Sequence, residues 1–240
     1  GYVARLENIL DRFGITVTRG SVASVEGNYK LRGDFEKVEA RAVVLATGTS
    51  PSPAGIDGES EMAGEFLHYE VAPALARNPS SALVVGGGEA AFDYALSLAG
   101  AGTSVSIAVR DQHHRANARL AAAVEIAPLV TVHLETTVAR LKASAGLVDA
   151  TILSHDVTKS LRVSIVVVAI GRTSTLPNLE GALANRGEAH GATLQGSSAP
   201  SAESSSATDR LTIAPGLYIA GDARLGSLGQ SGIAVGAGLG

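Results

Sequence analysis

The sequence predicts an α/β fold with two sheets, each belonging to a three-layer unit. Two observations carry this. Short apolar runs that close on glycine recur along the chain, at "AVVLATG" (42–48), "ALVVGGG" (82–88), "VVVAIG" (166–171) and "LYIAG" (217–221). The second leads directly into a helix-like segment and a further apolar run, a β-α-β unit that specifies parallel strands. There is also an internal echo. Ala46-Thr47-Gly48 followed by Pro51 resembles Ala169-Ile170-Gly171 followed by Pro177, each ending an apolar strand. The echo predicts two such sheets, and 240 residues suffice for one large or two modest domains.

Taken in order, Val3, Leu6, Ile9, Leu10 and Phe13 recur at helical spacing, and Gly14 stands where that helix should stop. From Ile15 to Ala40 the pattern alternates and turns, which predicts short antiparallel strands. Ala42 to Gly48 suits a buried strand, and "TSPSPAGIDGE" after it reads as loop. Ala82 to Val85 form a strand. The helix after it runs through Phe92, Ala95, Leu96 and Ala99 to Gly100 and Gly102, and "SVSIAV" returns as a second strand. Val130 to Val168 reads as further strands. "GATLQGSSAPSAESSSATD" reads as an irregular surface loop, and the chain finishes with a strand, a glycine-rich turn and the start of a helix.

Composition narrows the function. Hydrophobic residues make up 45% and charged residues 18%, a globular balance, and 19 basic against 23 acidic residues give a net charge of −4. Neither a nucleic acid nor an anionic membrane is called for. Cysteine is absent, which removes disulfides, thiolate metal sites and cysteine nucleophiles and makes a cytoplasmic setting the default. No G-x-S-x-G, H-E-x-x-H or P-loop is present. His113 and His114 are adjacent, so their side chains diverge and chelate poorly; no metal site is expected, and loop solvation is the reading for both. His68 reads as a structural histidine.

The positive signal is Gly86-Gly87-Gly88-Glu89-Ala90-Ala91, a G-x-G-x-x-A turn between strand and helix. Gly86 permits the tight turn, Gly88 lets backbone approach a diphosphate, and Ala91 lets helix and strand pack closely. The helix then presents free N–H groups and a positive dipole end to the phosphates. This is the Rossmann-like arrangement, and it predicts a bound nicotinamide nucleotide. The end of the second strand selects which one. Arg110 and Arg115 suit the 2′-phosphate of NADP, whereas Asp111 opposes it, so NADP is the expectation and NAD the alternative.

The order "VVLATGTSP", "VVGGGEAAFDYAL" with "VRDQHHRA", "VVVAIG" and "GLYIAGD…GQSGIAVG" resembles the thioredoxin-reductase-like flavoproteins over nearly the whole chain. The resemblance implies an FAD-binding domain interrupted by an NAD(P)-binding domain, each Rossmann-like, with hydride passing from NAD(P)H to FAD and a homodimer as the assembly. By it, 1–66 and 209–240 form the FAD-type domain, 67–180 the NAD(P) domain with Gly171 at its cofactor, and 181–208 a connecting loop. Thr47 and Gly48 then lie near the flavin nucleotide, Asp222 of Gly221-Asp222 bonds the FAD ribityl chain, and Gln230, Ile233 and Ala234 approach the flavin ring.

Two departures qualify the resemblance. The redox cysteines of thioredoxin reductases fall at Tyr69 and Ala72, so disulfide reduction by that mechanism is ruled out at these positions. The chain looks closest to the cysteine-free ferredoxin/flavodoxin–NADP reductase branch, whose acceptor is a small electron-carrier protein. That branch normally has a second arginine where Asp111 stands. Nothing before Ala42 has the form of the FAD glycine turn, so the FAD domain is expected to be incomplete and to bind flavin poorly. The alternative is an NAD(P)-binding module without flavin and without redox activity.

Overall fold

The computed structural model describes residues 2–154, 157–183 and 212–225. Its contacts divide into two units, residues 1–49 with 174–240 and residues 50–173.

The first unit opens with α1 (Tyr2–Arg12), and Gly14 takes φ +61° just past its end, the left-handed geometry that stops a helix. Leu6 and Ile9 on this helix are each 43% exposed. β1 (Val22–Glu26), β2 (Lys30–Gly33) and β3 (Val38–Glu39) form the expected antiparallel meander. Ile15 to Ser21 lies outside that sheet; at its edge the Ser21 N–H donates to the Asp34 carboxylate and the Ser21 carbonyl accepts the Asp34 N–H. β4 (Val43–Leu45) follows. Only alternate residues of this run are buried, Val43 and Leu45, while Val44 is 62% exposed; β4 covers one face, not two.

The second unit begins with β5 (Thr49–Pro51), α2 (Glu59–Met62), β6 (Leu67–His68), α3 (Val71–Leu75), β7 (Ser81–Val85), α4 (Glu89–Gly100), β8 (Ser104–Ala108), α5 (Ala118–Glu125) and β9 (Val130–His133). It continues with β10 (Thr136–Ser144), β11 (Leu147–Ser154), β12 (Val157–Val163), β13 (Ile165–Val168) and β14 (Arg172–Ser174). The central sheet runs β6-β13-β7-β8-β9, all parallel. Because successive strand residues face opposite ways, the sheet feeds two cores. Ala82, Val84, Val105, Ile107, Ile165 and Val167 pack with Phe92, Ala95 and Leu98 of α4. Leu83, Ala108, Val166 and Val168 pack on the other face with Leu141, Val148, Ala150 and Val163 of the β10–β12 meander. Helices, sheet and meander are the three layers, and continuous apolar strands are what a sheet covered on both faces requires.

Residues 50–66 join this second unit rather than the first segment. Ile56 and Met62 are buried beside Leu67, Leu83 and Leu141, so the division falls at Thr49/Ser50 and not at 66/67. The chain returns to the first unit through α6 (Glu180–Leu183), β15 (Thr212–Ala214), β16 (Leu217–Ile219) and a short helix, Asp222–Leu225. β16 lies parallel to β4, and Val43, Leu45, Leu179, Ala182, Ile213, Leu217 and Ile219 close that unit's core with Val25 and Tyr29. The 181–208 segment begins as the end of α6, and its remainder lies outside the described residues.

The two echoed glycines do matching work. Gly48 (φ +69°) gives its carbonyl to the Thr175 N–H at 3.1 Å, and Gly171 (φ +129°) gives its own to the Ser52 N–H at 3.0 Å. Both sit where the chain leaves a sheet at its carboxyl edge and must turn sharply.

Candidate dinucleotide site

β7 ends at the carboxyl edge of the parallel sheet, and the three glycines that follow are small for three different reasons. Gly86 takes φ +145°, and a Cβ there would lie 2.2 Å from the carbonyl oxygen of Ala169, the residue after β13. At Gly87 a Cβ would meet Val109 Cγ1 at 2.7 Å. At Gly88 nothing lies within 4 Å, and the backbone (φ −96°, ψ −178°) is one that any residue adopts. The fold needs glycine at Gly86; at Gly88 it does not, and the room above that residue is open.

Gly88 is also the N-cap of α4 and supplies no side-chain hydrogen bond. The first-turn N–H groups of a helix lack partners within the helix, so this end carries positive potential toward the open corner. Ala91 is fully buried against the sheet, as the close packing of helix and strand demands. Glu89 and Ala90 are exposed at the start of the helix.

The loop after β8 folds back onto this turn. The Arg115 N–H donates to the Gly87 carbonyl at 2.5 Å. The His114 ring packs on Phe92 with centroids 4.7 Å apart, and its Nδ1 is buried with no partner among the described residues. Of the two adjacent histidines, His113 is exposed and His114 half-buried. Asn117 accepts the Leu120 N–H at 3.0 Å, capping α5, and donates to Glu89 at 2.9 Å. Arg110 pairs with its neighbour Asp111 at 3.1 Å, with side chains 77% and 53% exposed, and Arg115 is also exposed. A groove of about 470 Å³ runs between α4 and α5, lined by Asp93, Leu96, Asn117 and Arg119, and does not include the glycines.

Sequence reasoning missed the buried Glu59 of α2. Glu59 is only 5% exposed and accepts the N–H groups of Ala54 (2.9 Å) and Ile56 (3.0 Å) and the Tyr69 hydroxyl (2.8 Å). Burial pushes its carboxyl up, but those donors together outweigh it and hold it below the usual carboxylate range. Burial and the same bond push the Tyr69 phenol up to about 12. Tyr69, at the first cysteine position of the resemblance, therefore spends its hydroxyl on Glu59, and Ala72 lies within α3. On the helix side, Glu70 accepts the Tyr94 hydroxyl at 2.8 Å and pairs with Arg172.

His68 is 8% exposed, and its Nε2 has no partner among the described residues. Burial, helped by the nearby Arg77 cation, lowers its pKa below the ordinary 6.5. The unfolded chain then takes up the proton first, so stability present at neutral pH is lost as pH falls from about 6.5. Urea midpoints at pH 7.5 and 5.5 should converge in His68→Gln relative to wild type; an unchanged gap would show that other groups set it.

In the first unit, Thr47 is exposed and Gly48 half-buried at the end of β4. Gly221 (φ +67°) turns the chain into the helix that Asp222 begins, and Asp222 Oδ1 is buried with no partner among the described residues. Gln230, Ile233 and Ala234 lie outside the described residues. Among the described residues there is no group of three His, Asp or Glu side chains able to hold a metal, and no helix long and apolar enough to cross a membrane.

A glycine turn at the carboxyl edge of a parallel sheet, opening into an uncapped helix, is a dinucleotide-binding α/β arrangement. The chain belongs to the pyridine nucleotide-disulphide oxidoreductase family, whose model matches residues 2–238. It is 30% identical over 127 residues to a thioredoxin reductase of Peptoclostridium litorale, covering 51% of this chain and 39% of that one. It is 29% identical over 148 residues to a ferredoxin–NADP reductase of Metallosphaera sedula, covering 59% and 44%. The chain thus spans less than half the length of either curated relative. The solved thioredoxin reductase of Lactococcus lactis shares the fold with a TM-score of 0.77 at 20% identity, covering 98% of this chain and 75% of that one.

Proposed function

We propose that this chain serves a flavin-dependent oxidoreductase. It holds a nicotinamide dinucleotide at the Gly86–Ala91 turn and passes hydride from it to FAD. Electrons then go on to an acceptor other than an internal disulfide. The observation that carries the reading is Gly88: glycine there answers to no contact of the fold, and it fronts open space at a helix end with free N–H donors. A diphosphate suits that corner in charge, and no side chain of the turn stands in its way. Membership of the family and the two reductase relatives support the reading.

Within the second unit, Gly88 and the N–H groups of Glu89, Ala90 and Ala91 would hold the diphosphate. Gly171 follows β13 at the same carboxyl edge, and Arg115 would supply the cation for a 2′-phosphate. Arg110 serves the same phosphate only by exchanging its Asp111 partner, which keeps NAD in play beside NADP. In the first unit, Asp222 Oδ1, buried and without a partner among the described residues, would accept a hydroxyl of the FAD ribityl chain, with Thr47, Gly48 and Gly221 near the flavin nucleotide by resemblance. Hydride transfer is chemistry the two cofactors supply; the protein's part is to align them and exclude water. The residues at Tyr69 and Ala72 offer no thiols, so a small electron-carrier protein such as ferredoxin or flavodoxin is the proposed acceptor.

Calorimetric titration of the purified chain with NADPH and NADH, before and after incubation with FAD, tests this. The expected result is saturable NADPH binding, tighter than NADH, and, because flavin is expected to be held weakly, bleaching of the flavin absorption by NADPH under anaerobic conditions with FAD kept in excess. NADPH binding without that bleaching would favour the binding-module reading, and no dinucleotide binding would overturn both.

A further inference from the structure

We propose that Asn117 is a positioning residue for the dinucleotide site: its side-chain amide draws the Glu89 carboxylate toward α5 and away from the phosphate corner. The inference rests on the dinucleotide reading of the glycine turn and adds a component that the glycine motif does not contain.

Glu89 is the first residue of α4, directly after the open corner at Gly88. A carboxylate there is attracted to the helix's own free N–H groups and positive end. Those are the donors a diphosphate would use, and a carboxylate beside them repels a ligand of the same sign. An acid at this position is therefore a competitor unless something holds it aside. Asn117 does so from 28 residues along the chain, its Nδ2 donating to Glu89 Oε1 at 2.9 Å.

The choice of asparagine follows from its two simultaneous tasks. Its Oδ1 accepts the Leu120 N–H at 3.0 Å and caps α5. That bond fixes which end of the amide is oxygen and leaves the NH₂ for Glu89. Serine, threonine or aspartate would cap α5 as well. Aspartate has no donor for a carboxylate, and serine and threonine hydroxyls reach less far. The loop is secured at the turn by the Arg115 N–H on the Gly87 carbonyl and by His114 on Phe92, so the amide is delivered to Glu89 by a seated segment.

A double-mutant cycle with NADP⁺ as the titrant separates this from a structural role. Asn117→Ser keeps an α5 cap and releases Glu89; it should weaken NADP⁺ binding about fivefold at low salt, with the loss shrinking as ionic strength rises. In a Glu89→Gln background, where the released side chain carries no charge, the same substitution should change binding by less than twofold. Equal losses in both backgrounds, or a loss insensitive to salt, would mean that Asn117 acts through α5 alone and would overturn the proposal. Binding by Asn117→Ser equal to wild type would overturn it too. Absence of NADP⁺ binding in the wild-type chain would overturn the dinucleotide reading and this inference together, whereas the other negative outcomes leave that reading standing.

Discussion

Gly88→Val is expected to weaken NADP⁺ binding about 100-fold or more while moving the melting temperature little. A 100-fold loss corresponds to about 2.7 kcal/mol of binding free energy. The separation of the two effects follows from the local geometry. The backbone at Gly88 is extended, and no atom lies within 4 Å of the position a Cβ would take. The Cβ of a valine there meets nothing within 4 Å in the free protein, and as a poor N-cap valine costs about 1 kcal/mol. Its three carbons occupy the space in which a diphosphate must approach the α4 N–H groups. Gly86→Ala is the control with the opposite profile: φ +145° and a carbonyl oxygen 2.2 Å away make it a folding defect first. Scanning calorimetry and NADP⁺ titration of both variants read the contrast. Binding by Gly88→Val equal to wild type would remove the phosphate from this corner.

What the sequence made legible is what short-range pattern encodes. The turn at 86–91 was readable because strand, glycines and helix are contiguous, and the strands of the central sheet were readable as continuous apolar runs because both faces are covered. The features that escaped are set by contacts distant in sequence. Asn117 and Glu89 meet across 28 residues, and only the asparagine before an alanine-rich run hinted at α5. The division at Thr49/Ser50 depends on Ile56 and Met62 choosing the Leu83–Leu141 core, which no local pattern announces. Val44 shows the converse: its run looks buried on both sides, yet one side is open because burial is decided by what packs on a sheet, not by the strand itself.

Glu59→Ala is expected to destabilise the fold by about 3 kcal/mol or more. Glu59 sits in a stretch, "AGIDGESEM", whose glycines and acids read as ordinary loop. The buried carboxylate instead gathers the Ala54 and Ile56 N–H groups and the Tyr69 hydroxyl, tying the segment before α2 to the one after β6. Removing it strands three donors, and each buried donor left unpaired costs about 1–3 kcal/mol, less than additively as the site relaxes. Glu59→Gln retains one acceptor oxygen but sets an NH₂ group against a donor, so an intermediate loss is expected. The pH dependence distinguishes charge from shape. Because the folded-state carboxyl lies below its ordinary value of 4.5, the unfolded chain binds the proton first. The stability that Glu59 contributes is therefore complete above about pH 5 and is lost as pH falls through the folded value. Urea denaturation from pH 7 to pH 3 should show wild type losing its advantage over Glu59→Gln below about pH 5. A gap between the two that stays constant across that range would mean the ionised form is not what the three donors stabilise.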